Sequence, residues 1–176
     1  MPAPRFVDQL NVQIGNELAA HNQYLACAIY YDALTMPRMA AFFYAQALEE
    51  RAHAMMMVQY LLDTDADVVI PAVAAPRSVF ADLVAPVELA LAQERTVTDQ
   101  INGLLRIARE EGDFASEQFM QWFIKEQVEE VATMSDLVTV VKRAQHDVEA
   151  IEEYVARELG DPGDDPTAPS AAGSDS

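Results

Sequence analysis

The 176 residues carry 29 Asp and Glu against 11 Lys and Arg, a formal net charge of −18, so phosphates would be repelled; nucleic acid and anionic membrane surfaces are excluded and cations become the expected ligands. A hydrophobic share of 51% supports one sizeable core, and no apolar run reaches the roughly 18 residues that span a bilayer. The single cysteine, Cys27, has no partner for an internal disulfide and reads as a buried thiol, and residues 1–15 show no leader pattern, so the chain reads as cytoplasmic.

Apolar or special residues recur at alternating steps of four and three, which lays one narrow stripe along a helix. The first predicted helix, about residues 5–34, puts Leu10, Ile14, Glu17, His21, Tyr24, Ala28 and Tyr31 on that stripe and stops before Pro37. The second, about 38–63, carries Met39, Phe43, Gln46, Glu50, His53, Met57 and Tyr60, and the short turn before it makes the pair antiparallel. Residues 63–85 hold two prolines and no helical period, an extended connection that at about 3.3 Å per residue can cross a bundle. A third helix opens with Pro86, carries Val87, Leu91, Glu94, Thr98, Ile101, Leu105 and Ala108 inward, and breaks at Gly112-Asp113.

The fourth, about 114–143, presents Ser116, Met120, Phe123, Gln127, Glu130, Met134, Leu137 and Val141, and a shorter fifth, 147–159, is closed by Gly160. Residues 161–176 are rich in Asp, Pro, Gly and Ser, with no basic residue and no apolar anchor, and are expected to be disordered. The expectation is an all-α, four-helix bundle with one long crossover between helices 2 and 3, a domain over 1–160 and an acidic tail over 161–176.

Glu17, Glu50, Glu94 and Glu130 each occupy a stripe position that an apolar residue would fill, on four different helices and in the middle zone of each. A carboxylate buried alone costs several kcal/mol or takes up a proton, so four at one level need cations among them: the pattern reads as a dinuclear metal site. Residues three apart lie on one helix face, so Glu50 and His53 can ligate one metal together. An oxygen-rich site with one imidazole suits iron and other hard divalent ions. Di-iron carboxylate bundles carry a second Glu-x-x-His; here the fourth helix offers Gln127-x-x-Glu130 instead, which leaves one ion without a histidine.

The segments NELAAHNQY with Glu17 and Tyr24, ALEERAHAM with Glu50 and His53, QER with Glu94, and QWFIKEQVEE with Gln127 and Glu130 resemble the non-haem bacterial ferritins, in particular their actinobacterial branch, over residues 5 to about 159. The resemblance implies a ferritin-like fold, a cage of 24 subunits around a mineral core, and a ferroxidase centre in each bundle. Glu17, Glu50 and His53 would then hold one iron, with Glu50 bridging to a second held by Glu94 and Glu130. Gln127 would be a near neighbour and Tyr24 redox-active. The substrates would be Fe(II) with O2 or H2O2. Haem-binding relatives place a methionine after the Glu of this motif; Arg51 stands there, so no haem is expected.

Glu49, Glu126 and Glu129 point about 100° away from the ligands beside them, either as a solvated face or, as the resemblance suggests, as a transient third iron site. His21, where related chains carry a small residue, is either a core imidazole hydrogen-bonded to Glu17 or a further ligand or base. Glu117 is either a surface acid or, by resemblance, part of an entry channel. Two rivals share the bundle: a di-iron oxidase or peroxidase that stores no metal, and a passive storage or scaffold cage without oxidase activity.

Overall fold

Pro4, Pro37 and Pro86 fall in the first two positions of α1 (Pro4–Ala33), α2 (Pro37–Asp63) and α3 (Ala85–Glu110), where a missing N–H leaves no intrahelical bond unmade. The two remaining helices start on aspartates. Asp113 and Asp147 accept from Ser116 N and Ala150 N at 3.1 Å, opening α4 (Phe114–Arg143) and α5 (Val148–Glu158). The N-terminus of α2 gets no side-chain cap from its own N-cap residue, Met36; Glu152 of α5 supplies one, accepting from Arg38 N at 2.7 Å and Met39 N at 2.9 Å. A charged acceptor at a helix N-terminus contributes ~1 kcal/mol, and here it also pins α5 to the bundle. The structure is a computed structural model that describes residues 1–160 and 165–173.

α1 packs along α2 and α3 along α4, with α1 also touching α3 and α5 laid against α2 and α4. Gly112, at φ 66°, takes the left-handed conformation that turns α3 into α4. The bundle has two apolar cores. One gathers Tyr24, Ala28, Tyr31, Phe43, Ala47, Ala90, Met134 and Leu137; the other gathers Phe6, Leu10, Ile14, Ala54, Met57, Val97, Ile101, Met120 and Phe123. In every long helix the change from one core to the other falls across the stripe glutamate. A polar layer therefore separates the two.

Residues 64–84 contain no helix or strand and follow α1 in parallel, tied down at four heights. Asn11 binds Asp67 O (2.9 Å) and Val69 N (2.7 Å), Gln23 binds Arg77 through both its N–H and its C=O (2.8 Å each), and the Tyr31 hydroxyl donates to Leu83 O (2.7 Å). At the fourth height Pro71 lies so close to Gly15 that a Cβ there would overlap its ring. Gly15→Val is expected to destabilise the chain by about 1–3 kcal/mol, the usual cost of overpacking. That is a melting point lower by about 2–4 °C per kcal/mol for a chain of this size, readable by thermal melt; an unchanged melting point would show that the crossover yields freely.

The tail corrects one expectation. Residues 165–173 do not stand free of the bundle: the Trp122 indole N–H donates to Asp165 Oδ2 at 3.1 Å, Ala172 N donates to Met55 O at 3.0 Å, and Ala168, Ala171 and Ala172 pack on the second core. Small side chains and backbone groups anchor this segment, and a reading based on large apolar residues passes over both. Residues 161–164 and 174–176, also read as disordered, lie outside the described residues. Among the described residues no helix is long and apolar enough to cross a membrane.

Candidate metal centre

The polar layer consists of Glu17 from α1, Glu50 and His53 from α2, Glu94 from α3, and Gln127 and Glu130 from α4, none more than 5% exposed. Glu17, Glu50 and His53 each offer one ligand atom, all within 4.8 Å of one another, and His53 Nδ1 lies 3.3 Å from Glu50 Oε2. Across the layer Glu94 takes the Tyr24 hydroxyl on Oε1 and Gln127 Nε2, at 3.3 Å, on Oε2. Gln13, fully buried one turn before Glu17, donates to Glu17 Oε1 at 2.8 Å and is itself held by Asn16 (2.9 Å) and Gln100 (3.1 Å).

Burial pushes every carboxyl of the layer up, and charge repulsion adds to it at Glu17, Glu50 and Glu130. Glu17 rises to about 7. Glu50, facing the charges of Glu94 and Glu17, and Glu130, facing Glu49 and Glu94, rise well above the usual range, and Glu94 rises despite the hydrogen bond from Tyr24. Burial lowers His53 to about 4, so at neutral pH it is a neutral imidazole with a lone pair to give. Buried polar atoms are nearly always hydrogen-bonded, yet Glu17 Oε2, His53 Nε2 and Glu130 Oε2, on three helices, have no partner. Buried carboxylate oxygens and an imidazole nitrogen left bare in this way suit a divalent cation, and Glu17, Glu50 and His53 form a candidate metal site.

At the edge of this layer Glu49 and Glu126 bring ligand atoms within 4.8 Å of one another and of one from His53. Glu49 is half-buried, accepts from Gln46 Nε2 at 2.7 Å, and is raised to about 7 by burial and then by Glu126 and Glu94. Glu126 is raised by burial and then by Glu129. Glu129 itself is exposed and lies 3.8 Å from Lys125 Nζ, so the structure joins Glu49 to Glu126 and leaves Glu129 beside them.

His21 is a correction: its Nδ1 sits 2.6 Å from Ala47 O, and because a carbonyl only accepts, that nitrogen carries the proton and ties α1 to α2 instead of reaching Glu17. Glu117 is ion-paired with Arg109 at 2.7 Å. Cys27 is buried and raised to about 12 by burial, an inert thiol. The sequence reading missed Gln13 as a member of the site. Its signal is the i,i+4 spacing to Glu17 on a helix interior with no reason of its own for a buried amide.

A four-helix bundle whose core is divided by carboxylates and one imidazole, with ligand atoms left bare, has the donor set of a metal-binding bundle. A model of the ferritin-like domain matches residues 7–144. The chain is 54% identical over 161 residues to a ferritin, BfrB, of Mycolicibacterium smegmatis, covering 92% of this chain and 89% of that one. It is 34% identical over 160 residues to the bacterial non-heme ferritin of Staphylococcus aureus, covering 91% and 96%. Among solved structures, an open-pore ferritin of the archaeon Archaeoglobus fulgidus superposes with a TM-score of 0.84 at 31% identity, over 89% of this chain and 96% of that one. The chain belongs to the ferritin family.

Proposed function

We propose that this chain is an iron store with its own oxidase: it takes up Fe(II) in pairs at the polar layer, oxidises it with O2 or H2O2, and deposits Fe(III) as an oxyhydroxide mineral inside a cage of 24 copies. The observation that carries this reading is the set of unpartnered ligand atoms on Glu17, His53 and Glu130 within one buried layer of four carboxylates. Glu17, Glu50 and His53 hold one ion; Glu50, Glu94 and Glu130 hold the other. The two Fe(II) give up two electrons, which reduce one O2 to H2O2 or one H2O2 to two waters.

The carboxylates favour oxidation because an ion of higher charge gains more from the same negative surroundings. Binding two cations also displaces the protons that the crowded carboxyls keep in the metal-free layer. Tyr24, whose hydroxyl donates to Glu94, would be the redox-active neighbour of the centre, its electron standing in for that of one Fe(II) when a single ion is bound and a later Fe(II) reducing it again. Glu49 and Glu126, half-buried beside His53, give the oxidised ions a way out, with Glu129 extending that acidic face. Arg51 is exposed and has no thioether to offer a haem iron. Aerobic addition of Fe(II) tests the reading: absorbance of Fe(III) should rise far faster with the protein than in buffer alone, and equal traces would contradict it.

A further inference from the structure

The Thr98 hydroxyl lies 2.8 Å from Gln127 Oε1 and equally 2.8 Å from the backbone oxygen of Glu94, one turn before it on α3. It has one proton and can donate to only one of them. The next link is Gln127 Nε2 to Glu94 Oε2 at 3.3 Å. Gln127 is 4% exposed and Glu94 fully buried, with Thr98 half-buried beside them, so a bond lost at the amide is poorly replaced by water.

Two arrangements satisfy this chain. In the first, Thr98 donates to Gln127 Oε1 and Gln127 donates to the Glu94 carboxylate. In the second, Thr98 donates to the Glu94 backbone oxygen, the amide is turned over, its N–H2 donates to the Thr98 oxygen, and its own oxygen faces Glu94 Oε2. With Glu94 ionised the second sets two acceptors against each other and holds only with a positive charge between them.

We propose that Thr98 and Gln127 form a two-position amide switch: the amide points its N–H2 at Glu94 while the centre is free of metal and turns its oxygen toward Glu94 when the second cation arrives, Thr98 changing from donor to acceptor as it does so. The switch rests on the dinuclear reading of the site and adds to it. Thr98 is a positioning residue and Gln127 is the group it sets. The hydroxyl lets one helix pair serve both the empty and the occupied layer without orphaning a buried amide. Valine in its place leaves the turned-over N–H2 without an acceptor, an arrangement rarer in proteins than an unpaired carbonyl, so the empty arrangement is favoured and the second ion binds more weakly.

The test uses redox-inert Zn(II), titrated calorimetrically into the metal-free full-length cage of wild type, Thr98→Val and Thr98→Ser. Thr98→Val should weaken the second Zn(II) by about tenfold or more, the scale of one unsatisfied buried donor, and leave the first, at Glu17 and His53, within twofold. Thr98→Ser, which keeps the hydroxyl, should restore the second to within about threefold of wild type. Equal second-site affinity in Thr98→Val and wild type would overturn the switch, as would a serine variant as weak as the valine one. Wild type that binds no pair of Zn(II) at all would overturn the dinuclear reading beneath it.

Discussion

With Glu50 or Glu94 replaced by alanine, the initial rate of Fe(II) oxidation should fall by at least about 100-fold, since even outer partners of metal ligands cost about 10–100-fold when removed. Glu50 reaches the His53 side of the layer and repels both Glu17 and Glu94; Glu94 is where Tyr24 and Gln127 converge. Neither alanine should prevent folding. Removing one of several buried carboxyls relieves the metal-free bundle, so the metal-free melting point of the Glu50→Ala variant should equal or exceed that of the wild type, whereas Glu94→Ala also orphans the Tyr24 hydroxyl and the Gln127 amide and should gain less. Stopped-flow absorbance and thermal melts check both halves, and a variant that oxidises iron at the wild-type rate would show the centre to lie elsewhere.

The metal-free protein should lose stability as pH rises from about 5 to about 7. A carboxyl raised in the folded state holds its proton where the unfolded chain has released it, so between the ordinary value of 4.5 and the raised one the folded form binds more protons and stability falls with pH. Glu17 and Glu49, both raised to about 7, set the window, and Glu50, Glu94 and Glu130 push the same way. His53, lowered from 6.5 to about 4, works in the opposite sense over about 4 to 6.5, one group against the raised carboxyls.

Divalent metal competes with these protons, so Zn(II) should raise the melting point more at pH 7.5 than at pH 5. At a hundredfold excess over its dissociation constant each site contributes about 2.7 kcal/mol. Calorimetric scans at the two pH values, with and without Zn(II), check this. An equal rise at both, or a metal-free melting point that climbs through the window, would contradict the account of a proton-bearing, cation-poor layer.

The buried layer of four glutamates could be read from the chain alone because a glutamate on an apolar stripe is conspicuous, and four at one depth leave few physical explanations. The helix limits followed from Pro37, Pro86 and Gly112. What stayed hidden were the contacts between segments far apart in sequence. Gln13 sits one step off the stripe, and only the folded core shows that it is buried and turned onto Glu17. His21 lies one turn from Glu17, yet the crossing of α1 with α2 presents it to Ala47. The acidic segment docks through alanines, one backbone N–H and the Trp122 indole, none of which composition weighs. Gly15 likewise carries no local turn signal; its reason is the proline that passes over it.

Whether oxidation and storage belong to one particle, as proposed, is decided by counting the iron retained after aerobic loading. The protein is loaded with Fe(II) in repeated additions, separated by size exclusion, and assayed for iron per chain while negative stain records the particle. The account predicts a hollow particle of many subunits that fills with a dense core and keeps iron far beyond the pair that each centre holds. Iron that levels off at two per chain on a small, solid particle would make this a di-iron oxidase without a store, and a cage that fills no faster than iron oxidises in buffer would make it a passive container.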